Sequence, residues 1–78
     1  MNKEVRRRAE RLERHAAGKR STSEPVDDRT WTELLFLGEQ AKGHAPKPGL
    51  VEKAIPERDG PRSWAVVEHG ARAIVDSF

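Results

Sequence analysis

Between Trp64 and Phe78 the main apolar residues fall at positions 64, 67, 71, 74 and 78. Steps of three, four, three and four trace one face of an α-helix, whereas a half-buried strand needs strict alternation. Val66, Ala73 and Val75 widen this seam. The spacing predicts a helix over 61–77. The preceding Asp59-Gly60-Pro61 reads as a turn that puts Pro61 in the first helical turn, where its missing N–H costs nothing. Gly70 is the dissonant residue, since a helix-interior glycine costs about 1 kcal/mol relative to alanine. It opens a rival reading of 63–77 as a hairpin turning at His69-Gly70. Next to Ala71, it also marks a place where a second helix can approach closely.

Two further stretches carry helical signals. Residues 3–17 are rich in Arg, Glu, Leu and Ala, which favour helix, with Asn2 as N-cap and Gly18 as the residue that ends the helix. Val5, Ala9, Leu12 and Ala16 form one thin apolar stripe. Glu4–Arg8, Arg6–Glu10 and Glu10–Arg14 are opposite charges four apart, each worth about 0.2–0.5 kcal/mol in an isolated helix. Residues 31–42 read as a second helix. Thr30-Trp31-Thr32-Glu33 fits a capping box, Asp27 and Asp28 stand near the positive end of its dipole, and Gly43 closes it. Residues 18–29, with Gly, Ser, Thr, Pro and paired Asp, read as a flexible linker. Pro46, Pro48 and Gly49 break the chain again, and Leu50, Val51, Ala54 and Ile55 suggest a short helix at 50–55 that Pro56 ends.

The expected fold is therefore all-α: a small three-helix arrangement (about 3–17, 31–42 and 61–77). Its core is built from Trp31, Leu34, Leu37, Trp64, Val67, Ile74 and Phe78. The first helix either docks as a third member or protrudes. With 78 residues there is room for one domain. Its parts are a basic helical arm at 1–20, a linker at 21–29 and a small helical body at 30–78. Hydrophobic residues make up 35% and charged residues 36%, a balance that supports only a shallow core. The sequence has no cysteine, which removes disulfides and thiolate metal sites and fits a reducing compartment. No run approaches the apolar length of a membrane span, and the charged N-terminal stretch lacks a signal-peptide core. The expectation is a cytoplasmic protein without membrane contact.

Charge is unevenly spread. Residues 1–20 hold eight Lys/Arg against three Glu, a net +5, and residues 21–78 hold seven against ten acidic residues, a net −3. The arginine-rich helix is the strongest candidate site: Arg6, Arg7, Arg8, Arg11, Arg14, Lys19 and Arg20. Arg7, Arg11 and Arg14 share one face, and guanidinium forks match phosphate or carboxylate oxygens. Two readings stand side by side. In one, the helix is merely solvated and held by its own i,i+4 pairs. In the other, it docks on nucleic acid or on an acidic protein surface. No aromatic residue interleaves with these arginines to stack on bases. A helix-turn-helix also fits poorly, because the gap between the second and third helices is far too long.

Catalytic signatures are missing from the sequence. His15, His44 and His69 match no metal spacing, no glycine loop suits a phosphate, and no serine stands in a nucleophile elbow. The expectation is no enzyme activity, no metal and no cofactor. Trp31, Phe36, Trp64 and Phe78 are the only aromatics. Most are needed for the core, but Phe36 lies off the main face of its helix. Phe36, Trp64 and Phe78 are the candidate protein-interface residues, since aromatics are enriched at interface centres. The surplus apolar face of the last helix also suits self-association. The leading expectation is a non-enzymatic binding protein: an adaptor, inhibitor or regulatory subunit with a protein partner. The alternative is nucleic-acid binding by the N-terminal helix.

Overall fold

The computed structural model describes residues 2–44 and 62–78. They form three α-helices, α1 (Asn2–Lys19), α2 (Asp28–Ala41) and α3 (Trp64–Asp76), with a 3-10 turn at Lys42–His44 after α2. Among the described residues there is no strand. The described residues make a small all-α, three-helix arrangement, and 64–76 is helix and not hairpin. The expected short helix at 50–55 and the turn at 59–61 lie outside the described residues.

Each helix turns its stripe inward. The core holds Ala9, Leu12 and Ala16 from α1, Trp31, Leu34, Leu37 and Ala41 from α2, and Trp64, Val67, Ala71 and Ile74 from α3. Leu34, Leu37, Val67 and Ile74 are fully buried, and each such side chain stabilises the fold by about 1.5–3 kcal/mol. The first helix docks, and its contact with α3 is the most extensive among the described helices. The sequence explains why. α1 buries mainly alanines there, and α3 buries Gly70 and Ala71, so the two backbones can run close together.

The start of α2 differs from expectation. Its N-cap is Asp27, not Thr30, so the helix begins at Asp28. The Asp27 carboxylate accepts the Thr30 amide at 3.2 Å and the Thr30 hydroxyl at 2.6 Å. Glu33 does not reach back to close a box but pairs with Arg8 at 3.6 Å. Asp27 wins for two reasons. A carboxylate offers two acceptors and a full negative charge to the positive end of the helix. A cap at 27 also puts Val26 and Trp31 in the two positions of a hydrophobic staple, and both are core residues. Valine 26 was hidden from sequence reading because it sits in a polar, proline-bearing stretch.

Three other ends shift. α1 runs through Gly18 to Lys19, whose carbonyl accepts both the amide and the hydroxyl of Thr22. The chain therefore closes the helix with Thr22, and Gly18 keeps ordinary helical backbone. α2 does not stop at a left-handed Gly43 but tightens into the 3-10 turn that contains it. α3 starts at Trp64, later than expected, because Ser63 is the N-cap and accepts the Val66 amide at 3.2 Å. What remains of the expected linker, residues 20–27, is strapped to the body. The Trp64 indole N–H donates to the Glu24 carbonyl at 2.7 Å, and Lys19 pairs with Glu24 at 2.9 Å.

Two outcomes follow from these ends. A Cβ at Gly18 meets nothing within 4 Å, so Gly18→Ala should raise stability by about 0.4–1 kcal/mol in urea unfolding. The Thr30 hydroxyl holds the Asp27 pKa below its ordinary value; burial opposes it, and the Thr30 amide adds to the lowering. The folded carboxylate is thus more acidic than the unfolded one. Its stabilisation is complete above about pH 4 and is lost as pH falls through the folded pKa. Asp27→Asn should lower stability at neutral pH and flatten this acid limb in unfolding curves taken from pH 6 down to pH 3.

Candidate binding face on helix α1

The core stripe of α1 fixes which residues face away from the protein. At 3.6 residues per turn, Lys3, Arg7, Arg11 and Arg14 fall within an arc of roughly 80°, on the side opposite Ala9, Leu12 and Ala16. All four are exposed. They span about 16 Å along the axis at 1.5 Å per residue. No acidic residue shares that arc, where the remaining position is Gly18.

Of the α1 carboxylates, Glu10 and Glu13 are used elsewhere, while Glu4 stays beside the row outside any ion pair among the described residues. Glu10 is taken by Arg6 at 3.1 Å, the one of the three expected intrahelical pairs that forms. Glu13 is drawn across to Arg72 of α3 at 3.4 Å. Arg8 turns away from Glu4 toward α2, where it pairs with Glu33 and lays its guanidinium over the Phe36 ring, 5.4 Å from the centroid. Arg20 reaches Glu68 of α3 at 3.2 Å. Lys19 pairs with Glu24 and stands 5.3 Å from the centroid of Trp64. Among the described residues, Lys3, Arg7, Arg11 and Arg14 take part in no ion pair. The seven predicted cations thus divide. Arg6, Arg8, Lys19 and Arg20 hold structure, while Arg7, Arg11 and Arg14 project uncompensated charge.

Beside the row, an open concavity of about 480 Å³ is lined by Lys3, Glu4, Arg7, Arg8, Arg11 and Glu33. Four cations and two carboxylates line it, so it attracts anions while keeping two points of repulsion. Phe36 lies next to it, behind Arg8. Phe36 is 47% exposed and is the only large hydrophobic residue among those described that is so exposed. Of the other two aromatic candidates, Trp64 is buried, with 4% exposure, and Phe78 is half-buried against the core. His15 meets the Trp64 ring edge-on, 5.2 Å between centroids. The surplus apolar width of α3 is largely spent inside, since Val66, Val75 and Phe78 all pack on the core.

Sequence reasoning overlooked Lys3, although its place four residues before Arg7 was the available signal. It also could not find Glu33, which belongs to another helix. No three of His, Cys, Asp and Glu come together to hold a metal ion among the described residues. No described helix is long and apolar enough to cross a membrane. The chain matches no protein-family model, and no curated protein or solved structure is significantly similar to it.

The outward row supports nothing inside the molecule. The double variant Arg7→Glu/Arg11→Glu should therefore unfold within about 0.5 kcal/mol of the wild type at moderate salt. Arg8→Ala, which loses both Phe36 and Glu33, should cost about 0.5–1 kcal/mol by the same urea titration.

Proposed function

We propose that this is a non-enzymatic binding protein, an adaptor, inhibitor or regulatory subunit, whose working surface is the outward face of α1 together with Phe36. One observation carries the reading: Arg7, Arg11 and Arg14 stand in line, exposed and unpaired, while neighbouring cations find carboxylates. Unpaired surface charge of one sign raises the local concentration of oppositely charged partners and steers their approach. An exposed aromatic beside arginine is the composition of an interface centre. The wide apolar interface expected from the sequence shrinks in this reading to Phe36, because the remaining described apolar groups serve the core.

The favoured partner is a protein with an acidic surface. Glu4 and Glu33 line the concavity and repel a phosphodiester backbone, whereas a protein partner can meet them with a lysine or arginine. Nucleic acid is the second reading, and the uncompensated arginine row favours it. Such binding would neutralise phosphates, depend steeply on salt and ignore sequence.

Photo-crosslinking separates the two. A crosslinking residue placed at position 7 or 36 and used in an extract of the protein's own cells should give adducts that survive nuclease treatment. The same residue at Ala65, exposed on α3, should not. Adducts lost to nuclease would transfer the proposal to nucleic acid, and none at either position would overturn the α1 face as the working surface.

A further inference from the structure

The geometry points to the kind of segment that this face takes, an inference that rests on the reading above. We propose that it docks an acidic amphipathic helix of a partner protein, lying along α1 over the concavity, with an apolar side chain against Phe36.

The spacing of the charges argues for a helix. Lys3, Arg7 and Arg11 repeat every four residues, and Arg14 follows after three. That is the repeat of one helix face, so a helix packed alongside presents carboxylates at i, i+4 and i+7 or i+8 in step with it. Helices packed at a shallow angle of about 20° stay in register over several turns. An extended peptide repeats on one face every 6.6–6.8 Å or so, against about 6 Å for four helical residues. It therefore falls out of step over the length of the row.

The surroundings argue for a peptide of mixed character over a polyanion. The concavity beside the row has carboxylates as well as cations on its lining. Phe36 extends the surface on the α2 side, where its ring is held by Arg8 and still half open to solvent. An amphipathic helix has what this asymmetry asks for: a carboxylate stripe for the row and a flanking apolar side chain for the ring. Arg8, already on the ring and pinned by Glu33, is the natural boundary between the charged and apolar halves of the contact.

The test uses the full chain and four probes at low and moderate salt. One is a synthetic helical peptide of about 20 residues with Glu on one stripe at i, i+4 and i+8 and Leu beside it. The second has the same composition with Glu scattered round the helix. The third and fourth are a short DNA duplex and a short RNA. Binding is followed by fluorescence anisotropy, the site by amide chemical shifts, and folding of each variant by circular dichroism. The patterned peptide should bind about tenfold more tightly than the scattered one and shift amides of α1 and of Phe36. Arg7→Glu/Arg11→Glu should abolish binding. Phe36→Ala should weaken the patterned peptide several-fold and leave the scattered one unchanged. Equal binding of the two peptides would overturn the docked helix and leave the α1 face as an anion-binding surface. Tighter binding of duplex or RNA than of either peptide, lost in the double variant, would overturn it in favour of nucleic acid. No binding of any probe at low salt would overturn both the helix and the face.

Discussion

The docking of Trp64 is the constraint on which the rest of the arrangement depends. It is the first residue of α3, buried to 4% exposure, and its indole N–H must find an acceptor when taken out of water. The acceptor is the Glu24 carbonyl, forty residues away in the sequence. That bond draws the connection after α1 onto the start of α3. Two residues of α1 complete the enclosure: His15 meets the ring edge-on, and Lys19 stands beside it while pairing with Glu24. The end of α1, the loop and the start of α3 are thereby tied at one point. Without it, a helix with only Ala9, Leu12 and Ala16 fully turned to the core would have little reason to dock.

Once α1 is docked, its charges are sorted by position. Arginines near the flanks find carboxylates on neighbouring elements, as Arg8 does with Glu33 and Arg20 with Glu68, and Glu13 is claimed by Arg72. Each such surface pair is weak, at about 0–1 kcal/mol. Together they set the orientation of α1 more than its stability. Their consequence for function is indirect. Arg6 takes Glu10 and Arg72 takes Glu13, so Lys3, Arg7, Arg11 and Arg14 stay outside any ion pair among the described residues, with Glu4 beside them. A helix that is already basic by count thus gathers its unpaired cations on one face.

Much of the fold was legible because its signals are local. The steps from Trp64 to Ile74 and from Trp31 to Ala41 identify the buried faces, and Phe36 was placed off the core face by the same arithmetic. The cap of α2 was misread for a local reason as well. Thr30 with Glu33 and Asp27 with Thr30 are both plausible sequence patterns. What chose between them was the burial of Val26 and Trp31, a tertiary fact. Gly18 was misread as a terminator because Thr22, which closes α1, acts on Lys19 from beyond the pattern. Within the candidate face, the common side of Arg7, Arg11 and Arg14 was visible from spacing alone. Their freedom was not, since Glu10 was equally placed to serve Arg14 and serves Arg6 instead.

The sequence by itself determined the helical class, the inward residues and the concentration of positive charge in the first twenty residues. These depend on period and composition, which neighbours along the chain supply. Only the tertiary structure decided that α1 docks and that the Glu24 carbonyl receives the Trp64 indole. It also decided which cations are neutralised. The physical reason is that an ion pair or a buried indole is settled by partners far away in sequence. Glu33 and Arg72 reach α1, and Glu68 reaches Arg20 just beyond it, only after the helices have packed.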